Sequence, residues 1–304
     1  MLAAAASAPA AQLSTNARNA IPQAVQQLVV IDYHAMENSN SAMDLRQRVM
    51  PPELKRFEEA LHNSGLNENH DVEQLAFALF RVKDGDEKLR TVGVAQGQFS
   101  VPEILANFRK QKLKATLVRT NQVYPLAKTG MVVCFVDPAT MVFGASDSVT
   151  KALDARDGVE PSLLNNGLAM DAMKSVDSEP LWSILDKKGT QTMMRMVLGE
   201  AGALADYDSV SKHLEASWYS MNFQHGVKFD LTISTSDSFT AATLSSLLSG
   251  ALKIRKMSGS EAEKQALSAT TIASDSGRLS IHFTTNDAQF SSLLQSPLFQ
   301  GIVH

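Results

Sequence analysis

The sequence predicts an α+β fold made as a tandem duplication. Each half reads strand, helix, hairpin, helix, hairpin, helix, with mainly antiparallel sheets and helices on one face. Two observations carry that reading. The first is the stretch Met131–Gly158. Met131 to Val136 is an unbroken apolar run, as in a strand covered on both faces. Asp137-Pro138 then supplies a turn, because the Asp side chain caps it and Pro presets φ. Met141 to Phe143 returns, Gly144 ends the strand, and Ser146 or Asp147 caps a helix. Val149, Ala152 and Leu153 give that helix one apolar stripe. The second observation is repetition of this order at 74–110, 213–256 and 270–298.

Taken in order, residues 1–24 are an Ala-rich leader or disordered tail. The Ala-Ser-Ala and Ala-Pro-Ala triplets within it resemble the cleavage end of a secretory signal. The first half spans 25–158. Leu28–Ile31 is a strand, and a helix runs from about Ser39 to Val49. Pro51-Pro52 breaks it, and Leu54, Phe57 and Leu61 stripe the next helix. Gln74–Arg81 and Leu89–Gln96 form a hairpin across Asp84-Gly85-Asp86. Ser100-Val-Pro-Glu opens a helix to about Lys110, since Pro suits a first helical turn. An extra hairpin, Ala115–Arg119 with Val123–Leu126, precedes the Met131 stretch. Residues 159–178 form a connector with a short helix around Leu163 to Met173. The second half spans 179–304. It has a strand at Leu181–Leu185, a helix from Thr190 to about Leu204, and a hairpin at His213–Phe223 and Val227–Ser234. A helix follows to about Lys256, then a hairpin at Thr270–Ser274 and Arg278–Phe283, then a helix capped by Asn286.

The 304 residues are 44% apolar and 20% charged, so the chain is globular. A net charge of −4 carries no electrostatic signature for nucleic acid. No apolar run approaches the roughly 20 residues of a membrane span. The single cysteine, Cys134, has no partner within the chain for a disulfide.

Catalytic patterns are sparse. Ser148-Val-Thr-Lys151 and Lys128-Thr129-Gly130 match fragments of serine acyl-enzyme motifs, but in inverted order and without the third fragment. Ser148 reads as part of a helix cap. Glu59/His62 and His70/Glu73 are isolated acid–imidazole pairs, and a metal site needs several such ligands converging. No metal site, no cofactor and no catalytic residue is predicted. The basic run Phe108–Lys114 reads as a helix C-terminus, where cations meet the negative dipole end. Asp32-Tyr33-His34 is the one place where an acid, a phenol and an imidazole stand together.

The segments Phe135–Gly144 and Val149–Asp154 resemble uncharacterised exported bacterial proteins with a duplicated α+β body of strand-turn-strand-helix units. The resemblance spans roughly 25–300 and implies export and non-catalytic cores. It carries no functional residue across.

The functional expectation is a non-enzymatic extracytoplasmic protein, periplasmic or secreted, that binds a protein partner or an apolar ligand. If the leader is no signal, the expected place is the cytoplasm. The candidate ligand-binding residues are Trp182, Met193, Met196 and Trp218, because methionines and aromatics line adaptable apolar grooves. The alternatives are a hydrolase with a site near Asp32 and His34, or a structural envelope component.

Overall fold

The structure is a computed structural model. It describes residues 12–49, 55, 58–59, 62, 71–81, 88–126, 130–198 and 207–295. Twelve strands form one sheet: β1 (Val25–Asp32), β2 (Val72–Arg81), β3 (Leu89–Gly97), β4 (Thr116–Val118), β5 (Asn121–Leu126), β6 (Met131–Asp137), β7 (Thr140–Ala145), β8 (Leu181–Leu185), β9 (Leu214–Asn222), β10 (Val227–Thr235), β11 (Thr271–Asp275) and β12 (Arg278–Thr285). Their order across the sheet is β11-β12-β10-β9-β8-β1-β2-β3-β7-β6-β5-β4, and every pairing is antiparallel.

The halves meet at β1 and β8, where Val29 stands opposite Ser183 and Val30 opposite Trp182. Reading outward from that seam, one half runs β1-β2-β3-β7-β6 and the other β8-β9-β10-β12-β11. The strand order is therefore the same in both, and the extra hairpin β4/β5 extends the first half. The two halves thus share one continuous sheet, a point the sequence leaves open. Pairing β1 with β8 removes an edge from each half.

Eleven described helices pack on this sheet: α1 (Thr15–Asn19), α2 (Tyr33–Glu37), α3 (Asn40–Val49), α4 (Val101–Lys110), α5 (Ser146–Arg156), α6 (Gly167–Met173), α7 (Lys187–Leu198), α8 (Tyr207–Ser211), α9 (Ser238–Ser258), α10 (Glu261–Ser268) and α11 (Asp287–Leu294). The period-two alternation of the strands decides which side chain meets which layer. Leu28, Val30, Ala76, Val92, Cys134 and Trp182 share one face with α1, α5 and α6. On the other face, α4 packs through Ile104 and Phe108 onto Met141 and Phe143. There too Leu244 of α9 meets Leu231, Ile233 and Leu279, and Phe290 of α11 meets Phe283.

The expectation of helices on one face suits the second half, where α7, α9 and α11 share a side. In the first half α4 and α5 lie on opposite faces. The reason lies in the first half's strands, whose apolar residues occupy both pleat faces, so each face requires a cover.

Residues 12–24 are not a tail. Leu13, Ala17, Ala20 and Ile21 are buried in the core beside α5. Ser14 caps α1 by accepting a hydrogen bond from the Ala17 amide. Leu163, Met173 and Val176 of the connector are buried in the same layer, and Leu163 N–H donates to the Ile21 carbonyl. The helix predicted around Leu54–Leu61 and the turn at 84–86 lie outside the described residues, apart from helical backbone at positions 55, 58, 59 and 62.

Several glycines stand where a Cβ would collide with a neighbour, Gly93 among them. The ring of Phe143 lies over Gly93 on the neighbouring strand, and a Cβ there would stand 2.1 Å from it.

Candidate functional site

Between the centre of the sheet and helices α2 and α3 lies a cavity of about 480 Å3. Its floor is one pleat face of four adjacent strands: Val29 and Ile31 of β1, Leu75 and Phe77 of β2, Leu181 of β8, and Tyr219 of β9. These belong together because the register pairs Val29 with Phe77, Ile31 with Leu75 and Leu181, and Ser183 with Tyr219. Its roof comes from Tyr33 and Met36 of α2, and from Met43, Leu45 and Arg46 of α3. Apolar side chains dominate the lining, and the volume suits a small organic molecule.

The chain turns sharply from floor to roof. Asp32 ends β1 and accepts a hydrogen bond from the Ala35 amide at 2.9 Å, so its carboxylate caps α2. That cap starts a helix immediately after the strand and throws Tyr33 and Met36 over the floor. Arg46 Nη2 donates to the Tyr33 hydroxyl at 2.8 Å and forms an ion pair with Glu58. Burial works against the Arg46 charge, but Glu58 and Tyr33 outweigh it and raise the guanidinium pKa. The cation is thus neutralised within the roof.

The floor carries one polar cluster. Gln27 Nε2 donates to Ser183 Oγ at 3.4 Å, and the Tyr219 hydroxyl belongs to the same cluster. Burial raises the Tyr219 pKa, against the opposing influence of Ser183 and Gln27, so the phenol keeps its proton.

The four residues expected to bind a ligand do not meet. Trp182 has no exposed surface and lies on the opposite face of the sheet, and Trp218 packs beside it. Met193 packs under α7 against the second-half core, while Met196 on the same helix is 52% exposed. Two of the four are thus on each side of the sheet, and no groove joins them. The Asp32–His34 pair does not converge either. Asp32 is used as a cap, and His34 points outward, 3.8 Å from Glu37. Ser148 is buried, and Lys151 is ion-paired with Glu160. Among the described residues no group of acids, histidines and cysteine is arranged to hold a metal ion, and no helix is long and apolar enough to cross a membrane.

Sequence reasoning missed the cavity, although its floor left a trace. Leu28–Ile31 is apolar at every position, which says that both faces of β1 are covered. It does not say that one cover stands off from the sheet, because that depends on helices attached by the short α2 turn.

No known family model matches the chain, and no curated protein matches it. Among solved structures, crystal form I of TP0453 superposes with a TM-score of 0.53 at 11% identity, over 91% of this chain and 95% of that one. Crystal form III of TP0453 superposes with a TM-score of 0.50 at 11% identity, over 91% and 96%. At that identity the likeness is one of fold: the chain shares the α+β architecture of TP0453 over nearly its whole length.

Proposed function

We propose that this chain is a non-enzymatic binding protein that carries an apolar small molecule in the cavity between β1, β2, β8, β9 and helices α2–α3. The observation behind it is about 480 Å3 of apolar-lined space at the centre of the sheet. Protein interiors are close-packed, and voids of this size are few. The hydrolase alternative gains no geometric support, since Asp32 and His34 are engaged separately. Export belongs to the same proposal: both signal-like triplets lie before Leu13, the first buried residue among those described. So does duplication, supported by the equal strand order of the two halves.

Native mass spectrometry on the full chain, purified without detergent, tests the proposal. The expected result is extra mass that organic extraction removes. Val29→Trp fills the cavity from the middle of its floor and should abolish the extra mass while the protein stays folded. A bare mass from several expression hosts, together with no uptake of added apolar compounds, would overturn the reading and turn attention to protein partners.

A further inference from the structure

We propose that the molecule held in the cavity is uncharged and carries a hydroxyl or carbonyl group, seated against Gln27 and Tyr219, with Ser183 behind them. This rests on the cavity being a binding site, as argued above, and adds the chemical class of its occupant.

The three side chains come from three adjacent strands. Ser183 stands opposite Val29 on β1 and opposite Tyr219 on β9, and Gln27 is two residues from Val29, on the same pleat face. Gln27 and Tyr219 line the cavity. A glutamine amide carries two N–H donors, and serine and tyrosine one O–H each. Ser183 takes one of the two Gln27 N–H donors, which leaves the other over, along with acceptor lone pairs. A buried donor without a partner is costly, so an occupant that accepts that hydrogen bond is favoured over one that cannot.

Charge argues in the same direction. Arg46 is already satisfied by Glu58 and Tyr33, and Glu37, the other charged side chain of the described lining, faces His34. The floor cluster is neutral. A carboxylate or ammonium placed on it would be desolvated among Val29, Phe77 and Leu181 without a counter-charge. A hydroxyl both donates and accepts, which matches a cluster that offers both.

The test is competition against a neutral fluorescent naphthylamine probe bound to the full chain, at pH 7. The competitors are 1-decanol, decanoate and decane. Decanol should compete about tenfold better than decanoate, and about fivefold to tenfold better than decane. Tyr219→Phe and Gln27→Leu should each erase most of decanol's advantage over decane, with decane still bound. Decanoate competing as well as decanol would overturn the inference. So would an unchanged decanol preference in both variants. Absence of any probe binding to the wild-type chain would instead remove the cavity reading itself, and the two failures are thereby told apart.

Discussion

Asp157 shows how single residues fasten this molecule. Arg119 Nε donates to its Oδ2 at 2.9 Å, Asn121 Nδ2 to the same oxygen at 3.1 Å, and Arg156 Nη2 to Oδ1 at 2.6 Å. Burial raises its pKa, but the bonds from Arg119, Arg156 and Asn121 outweigh that and hold the carboxyl below its usual value. A lowered folded pKa means that the stabilisation is present above the unfolded value, about 4, and is lost as pH falls through the folded one. Asp157→Asn should therefore lower the melting temperature at pH 7, and the gap to wild type should close as pH falls below about 4. A gap that persists at the acid end would contradict the assignment. Cys134 lies nearby, and burial pushes its thiol up to about 11, with Arg156 opposing and Asp157 adding. The lone cysteine is thus a core residue and not a nucleophile. At this scale the sequence was a poor guide to function. Trp182 and Met196 share the residue types of a binding site, yet one fills a core layer and the other faces outward. Residue type does not say which pleat face a strand position occupies, which decided Trp182, or which side of a helix turns outward, which decided Met196.

Elements were far more legible, because their signals are local. The turn at Asp137-Pro138 forms as the sequence implies: the Asp137 carboxylate accepts from the Ala139 amide at 2.7 Å between β6 and β7. Asn286 caps α11, accepting from the Gln289 amide at 2.9 Å, and Gln289 reaches back to the Asn286 amide. Asn286→Ala should cost about 1 kcal/mol in chemical denaturation, and Asn286→Ser should restore most of it. An alanine variant as stable as wild type would mean that packing of Phe290 alone holds the helix. The five-residue helices α1, α2 and α8 leave no such signal. α2 is too short for a period to show, and depends on Asp32 for its start. The segment after α9, by contrast, carries a readable start. Ser260 and Glu263 form a reciprocal capping box that begins α10 directly after Gly259.

For the whole molecule the seam between β1 and β8 matters most. One core layer contains Leu28 and Val30 of β1, Val94 of β3, Trp182 and Ile184 of β8, and Val149 of α5. It crosses the boundary between the halves, so neither half has a complete interior alone. Chemical denaturation should accordingly give a single transition. Fluorescence of Trp182 and Trp218, both near the seam, should coincide with far-ultraviolet circular dichroism. Two separated transitions would mean that the halves are independent domains. The sequence predicted the order of elements in each half and left open whether the halves share a sheet. Pairing of β1 with β8 joins segments about 150 residues apart, and no local pattern encodes so distant a partner.

That separation has a consequence during synthesis. A ribosome adds roughly 5–20 residues per second, so β1 waits on the order of ten seconds for its partner. Throughout that interval the nascent first half presents Leu28-Val-Val-Ile31 as an unguarded edge, apolar on both sides. Two unfinished chains on neighbouring ribosomes offer each other the same surface. In the finished fold that edge is covered by Leu181–Leu185, so its exposure ends only once this strand has emerged.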